Sequence, residues 1–287
     1  MYLTIHLRRT RLWALPLAAV ALIASLRWVS PSVSTATAPA GVAVPIVMYH
    51  SVLPDRQGTY IVHPDLLEQD LVYLRDNGYA TVTVADLIAY VDDGKPLPKK
   101  PIMLTFDDGY YNNYLYAHPL LKQYGMRAVI SPIGSVSEFY SDHPAEQDKP
   151  RYSHVTWAQL TDMVQSGVWE IQHHSYDMHK TDTRKGVAQK PGESDGDYRA
   201  ALTRDLQKAT ALLKEHTGTI PTAFVYPFGA YTKLTDPILR EGGIRATLTC
   251  EERTSVVTRD PDSLWRLGRY LRKPDMDSNA YFDTILS

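Results

Sequence analysis

At 287 residues, with 44% apolar and 22% charged side chains, the chain has enough apolar material to bury a sizeable core, which excludes global disorder. Its 30 basic and 32 acidic residues leave a formal net charge of -2, so there is no broad positive field to hold a nucleic-acid backbone, and a nucleic-acid partner is not expected. The single cysteine, Cys250, excludes an intramolecular disulfide and a cysteine-rich metal site. Any metal is then held through nitrogen and oxygen, and Cys250 reads as a small core residue at a strand end.

In chain order, Arg8, Arg9 and Arg11 precede an uncharged, mostly apolar run over residues 12–26, followed by a Ser/Thr/Ala/Pro-rich stretch to Ala40. That is the pattern of an export signal. The run is shorter than the roughly 20 residues that span a bilayer, although Trp28 and Val29 extend it toward an anchor. Residues 1–40 are therefore expected to be a signal peptide or membrane anchor with a low-complexity spacer, and residues 41–287 one extracytoplasmic domain, secreted or held at the outer face of the membrane.

From Val44 onward, short β-branched or apolar runs alternate with amphipathic stretches, the rhythm of β-α units around a parallel sheet or barrel. Strands are predicted at 44–49, 102–106, 128–133, 168–173, 223–226, 245–249 and 264–270. Helices are predicted at 64–77, with Pro64 at its start and Gly78 past its end, at 84–92 running into Gly94, and at 114–124, 156–166, 197–215 and 233–241. The stretches 141–152 and 181–196 read as loops.

In parallel β/α architectures functional groups gather at the C-terminal ends of the strands. His50 follows the first predicted strand, Asp107 and Asp108 the second, His174 the fourth, and Tyr226-Pro227-Phe228-Gly229 the fifth. Adjacent carboxylates repel unless a cation or hydrogen-bond donors compensate, which suggests one aspartate for a metal and one for a proton. An Asp-Gly turn with a helix-capping aspartate accounts for the same residues. His174 and His179, five apart, do not share a helix face, so a strand end and its following loop must grip any metal. A solvated histidine-rich loop is the competing reading. An aspartate with two histidines suits a borderline divalent ion and leaves positions open for water and a substrate oxygen. His173 is expected to be exposed. Tyr110, Tyr111 and Tyr114 suit either a sugar-stacking platform or helix packing, and of Trp265, Arg266 and Arg269 on the last predicted strand only some reach the barrel mouth.

Thr105-Phe106-Asp107-Asp108-Gly109-Tyr110, the run 174–179 (His-Ser-Tyr-Asp-Met-His) and Tyr226-Pro227-Phe228-Gly229 resemble the first three motifs of the polysaccharide deacetylases that share the NodB homology domain, carbohydrate esterase family 4. The resemblance covers most of the chain from about Val44. It implies an α/β fold, a distorted (β/α)7 barrel, and hydrolysis of N-acetyl groups on an N-acetylglucosamine polysaccharide of the cell wall or an extracellular glycan. It further implies Asp107 as the general base, Asp108, His174 and His179 as ligands of a divalent metal, usually zinc with cobalt or nickel as alternatives, and the Phe228 N–H as an oxyanion donor. Three departures stand out. The five-residue histidine spacing resembles the branch that deacetylates poly-N-acetylglucosamine. Val225 occupies the position of the family's common base-orienting arginine, so another group must orient Asp107. No histidine follows His216, and His50 resembles the missing general-acid motif moved to the front, as in permuted members of that branch; a satisfied core or capping histidine is the competing reading. An esterase of the same fold acting on O-acetylated glycan, and a catalytically silent glycan-binding protein, are the alternative functions.

Overall fold

The computed structural model describes residues 41–55 and 58–286. The apolar run and spacer assigned to residues 1–40 lie outside the described residues, and no helix among the described residues is long and apolar enough to cross a membrane.

Seven strands form the frame: β1 (Ile46–Tyr49), β2 (Pro101–Asp108), β3 (Ala128–Pro132), β4 (Trp169–Ile171), β5 (Ala223–Val225), β6 (Ala246–Leu248) and β7 (Tyr270–Leu271). A parallel ladder runs β7-β1-β2-β3-β4, and β5 pairs in parallel with β6. Isolated parallel bridges His173↔Phe224 and Leu248↔Leu267 join the two pieces, so hydrogen-bonded neighbours follow chain order around a ring. This is the expected distorted (β/α)7 barrel. All eight residues of β2 are buried, as befits a strand covered on both faces.

The helices are α1 (Pro64–Asp76), α2 (Val84–Asp93), α3 (His118–Tyr124), α4 (Gly134–Asp142), α5 (Trp157–Gln165), α6 (Asp195–Thr217), α7 (Thr235–Glu241) and α8 (Ser278–Ile285). Capping boxes at Thr83/Asp86 and Thr156/Gln159 start α2 and α5 by satisfying their first free N–H groups. The predicted helix over 114–124 is split into a π-turn, Asn113–Ala117, and α3, because Pro119 has no N–H for an ordinary helical bond. Helices α4 and α8 went unpredicted; the first turn of α4 is set by tertiary bonds from Gly134 N to Ser175 O and Ser135 N to Tyr176 O, at 3.1 and 2.8 Å.

Two predicted strands are corrected. The run 44–49 breaks at Pro45, which cannot donate to a ladder: Val42–Val44 pairs antiparallel with Ser255–Val257, and only Ile46–Tyr49 enters the ring. The run 264–270 is mostly irregular. Arg266 sits at φ 59, and Gly268 passes so close to Arg253 that an added Cβ would lie 2.4 Å from its Cγ.

Alternation along the strands sorts the core. Ile46, Met103, Val129, Val225 and Leu248 belong to one cluster that packs with Val84, Leu87 and Val91 of α2, inside the ring. Val47, Leu104, Phe106 and Ile130 point the other way, against Leu71 of α1, Leu121 of α3 and Leu160 of α5. Period two therefore places Thr105 and Asp107 on the same inner face as Met103, at the C-terminal end of the ring.

Candidate active site

β2 delivers both carboxylates. Asp107 ends the inner face, and Asp108 turns out of the strand at φ 68, a left-handed conformation that non-glycine residues adopt at a cost of roughly 1–3 kcal/mol. Gly109 follows at φ 74, where a Cβ would lie 2.9 Å from Pro132 Cα. The close approach to β3 thus requires glycine.

Asp108 Oδ1 lies 3.3 Å from His174 Nε2 and 3.2 Å from His179 Nε2, and the three ligand atoms fall within 4.8 Å of one another. His174 Nδ1 is 2.9 Å from Val225 O. A carbonyl only accepts, so Nδ1 is the donor and Nε2 of the neutral ring presents a lone pair toward Asp108. Asp108 Oδ1 is buried and these approaches lack hydrogen-bond geometry. Acceptors converging on one point fit a divalent cation, and three nitrogen and oxygen ligands leave positions open for water and substrate. Burial raises the Asp108 carboxyl pKa, but the imidazoles of His174 and His179, when protonated and donating to it in place of a cation, hold it well below the usual carboxylate range.

Asp107 is gripped differently. Arg269 Nη1 donates to Oδ1 at 2.7 Å and Nη2 to Oδ2 at 2.8 Å, a bidentate pair with both side chains buried. Arg269 is itself oriented by Nε on Thr249 O at 2.8 Å and Nη1 on Thr105 Oγ1 at 3.1 Å. An arginine therefore reaches Asp107 from the segment before β7, with Val225 at the position where the sequence resemblance leads one to be expected. Burial pushes Asp107 up, yet the Arg269 charge, followed by His174 and His50, brings it below the ordinary carboxylate value.

His50 follows β1. Asn113 Nδ2 of the π-turn donates to its carbonyl at 2.7 Å, an anchor with no signal in the sequence. Its ring lies 4.8 Å from that of Tyr60, and its buried Nδ1 has no hydrogen-bond partner among the described residues. Burial lowers the His50 pKa, Asp107 and Asp108 oppose this, and Arg269 and His174 reinforce it; the net value is below that of ordinary histidine. Phe228 sits at φ 58 in the turn Pro227–Gly229, with its ring 4.3 Å from that of His179.

Asp107, Asp108, His174, His179, His50 and Phe228, all singled out from sequence, line one cavity of about 830 Å³. Tyr60 and Tyr152, 54% and 66% exposed, stand on its wall. Two expectations are corrected. Cys250 is exposed on the cavity wall, its Sγ 3.9 Å from Arg269 Nη2, because the strand ends at Leu248. His173 is buried, with Nε2 3.1 Å from Thr210 Oγ1 of α6, because alternation turns it away from His174. Of the three tyrosines only Tyr110 lines the cavity, its hydroxyl pKa pushed up to about 12 by burial and Asp108; Tyr114 instead bonds Asp162 on α5 at 2.9 Å. Arg266 bonds Asp236 at 2.8 Å and does not line the cavity.

A ring of parallel β/α units with carboxylates and imidazoles converging at its C-terminal end defines an α/β barrel protein whose Asp108, His174 and His179 could hold a divalent cation. The chain belongs to the polysaccharide deacetylase family, whose sequence profile matches residues 94–247. It is 28% identical over 211 residues to the poly-beta-1,6-N-acetyl-D-glucosamine N-deacetylase of Escherichia coli K12, an alignment covering 66% of this chain and 31% of that protein. The chain thus spans less than a third of that relative's length. Among solved structures, IcaB from Ammonifex degensii is 31% identical with a TM-score of 0.67, covering 82% of this chain and 94% of that one. The Streptococcus pyogenes deacetylase PplD, 23% identical with a TM-score of 0.71 over 85% of this chain and 99% of its own, shares the fold.

Proposed function

We propose that the protein is a metal-dependent hydrolase that removes N-acetyl groups from an N-acetylglucosamine polysaccharide. The observation that carries this reading is the division between the two aspartates: Asp108 faces two imidazoles while Asp107 is locked on Arg269, in one cavity with His50. The printed name of the Escherichia coli relative supports a poly-β-1,6-linked substrate.

Asp108, His174 and His179 would hold the cation, zinc first, with cobalt or nickel as alternatives. When bound, it supplies a Lewis acid for the acetyl carbonyl and acidifies the attacking water. Asp107 takes that water's proton. Arg269 occupies both carboxylate oxygens, fixing the plane of the group and keeping it ionised and ready to accept. The backbone N–H of Phe228 donates to the oxyanion of the tetrahedral intermediate. An unprotonated amine is a poor leaving group, so the imidazolium of His50 gives its proton to the nitrogen as the C–N bond breaks; burial lowers its pKa and makes it the readier acid, while Asp107 and Asp108 partly offset that loss of charge. The exposed rings of Tyr60 and Tyr152 offer stacking faces for neighbouring sugars. With Arg269 on Asp107, the missing-arginine argument for a silent glycan-binding protein lapses. Residues 1–40 act as the export signal or anchor, and 41–287 as the catalytic domain outside the cytoplasm, a reading supported by Arg8, Arg9, Arg11 and the apolar run behind them.

The test is acetate and free-amine release from poly-N-acetylglucosamine, chitin oligomers and peptidoglycan, with chelated protein and after restoring zinc, cobalt or nickel. Equal amounts of acetate and amine, dependent on metal, are expected. Acetate without new amines would mean ester hydrolysis, and no acetate from any polymer would defeat the enzymatic reading.

A further inference from the structure

The loop 174–179 carries two of the three metal-type ligands with little regular structure to hold it. Ser175 adopts φ 70, left-handed for a residue with a side chain. His174 is fixed by β4 behind it and by its bond to Val225 O. His179 lies beyond the turn, and its ring packs on that of Phe228. Something must keep the turn in the conformation that returns His179 to Asp108.

Asp205, in the middle of α6, is placed to do so. Its carboxylate is buried and accepts the Tyr176 N–H on Oδ1 at 2.7 Å and the Asp177 N–H on Oδ2 at 2.8 Å. Lys180 acts on Asp205 only from beyond ion-pair distance, so the two loop amides are the groups bonded to its buried carboxylate. From the opposite side the first turn of α4 donates to the carbonyls of the same residues, Gly134 N to Ser175 O at 3.1 Å and Ser135 N to Tyr176 O at 2.8 Å. The peptides between the two histidines are thus held by their N–H groups from α6 and by their carbonyls from α4. Inside the turn, Met178 N donates to Ser175 Oγ at 3.1 Å.

We propose that Asp205 is a positioning residue of the metal centre, which orders the Tyr176–Asp177 peptides so that His174 and His179 present Nε2 to the same point as Asp108. The proposal rests on reading Asp108, His174 and His179 as metal ligands. Its physical content is that the loop is ordered before metal arrives. Without the carboxylate, part of the binding free energy goes into ordering the loop, and affinity falls.

Asp205→Asn keeps the shape of the side chain but turns an NH₂ group toward one of the two amide donors. Zinc titrated against a chromogenic chelator should bind wild type at one ion per chain and bind D205N about 10- to 100-fold more weakly, the usual effect of losing a group that orients a ligand. Thermal unfolding of the metal-free proteins reports any purely structural loss separately. A zinc Kd for D205N within twofold of wild type overturns the proposal, while failure of wild type to bind one zinc overturns the metal centre and the proposal together. Should D205N not fold, amide exchange in metal-free wild type decides: protected Tyr176 and Asp177 amides are expected, and exchange at the rate of free peptide overturns the ordering role.

Discussion

Arg269 and Asp107, 162 residues apart in sequence, share two parallel hydrogen bonds of 2.7 and 2.8 Å inside the barrel. Each satisfies the other's buried charge, and neither has an alternative partner of opposite charge at comparable distance among the described residues. Lysine is no substitute, because a compact ammonium cannot engage both oxygens in a fixed plane. Arg269→Lys is expected to lower turnover at least tenfold with zinc stoichiometry unchanged. Arg269→Met leaves a buried carboxylate unpaired and is expected to destabilise the fold by about 3–5 kcal/mol in urea unfolding. A lysine variant of normal turnover would remove the orienting role.

Replacing Asp107 by Asn separates proton transfer from metal binding. Loss of a positioned general base typically costs about 10²- to 10⁴-fold in rate, and acetate release should fall accordingly while zinc content stays at the wild-type level. Asp108→Asn should lose both. Normal turnover by D107N would eliminate the proposed base.

His154 gives a pH dependence of stability. Burial holds its pKa down at about 4, with Asp108 opposing, and its ring stacks 4.6 Å from that of Tyr110. The unfolded chain regains an ordinary value of about 6.5, so between these values the unfolded state binds more protons. The resulting stability is present above about pH 6.5 and is lost as pH falls toward 4. Equilibrium unfolding of chelated protein should weaken more steeply over that window in wild type than in His154→Phe; identical slopes would contradict the buried neutral state.

Tyr152 is expected to act on chain binding alone, whereas Tyr60 also packs on the ring of His50, 4.8 Å away. An aromatic stacking contact contributes about 0.5–1.5 kcal/mol, so Tyr60→Ala and Tyr152→Ala should each lower kcat/KM on polymer about 2- to 10-fold. A small acetyl ester, which has no flanking sugars, should be cleaved at the wild-type rate by Tyr152→Ala. Equal losses on both substrates would assign Tyr152 to the reacting centre.

Local chemistry made much of this protein legible without its structure. An apolar run ending in Asp107-Asp108-Gly109, a proline at the start of α1 with glycine past its end, and the β/α rhythm all act over a few residues, where alternation and turn geometry dictate the outcome. The same reasoning located His50, His174 and the run 226–229 that contains Phe228 after strand ends, and His179 in the loop that follows His174. Only the tertiary structure decided which cation faces Asp107, which face of β4 buries His173, that Cys250 opens onto the cavity, and that α6 grips the histidine loop through Asp205. Those outcomes depend on how segments tens to hundreds of residues apart meet around the ring. Side-chain pairing at that range is set by strand register and helix placement, which leave no periodic trace in the chain itself.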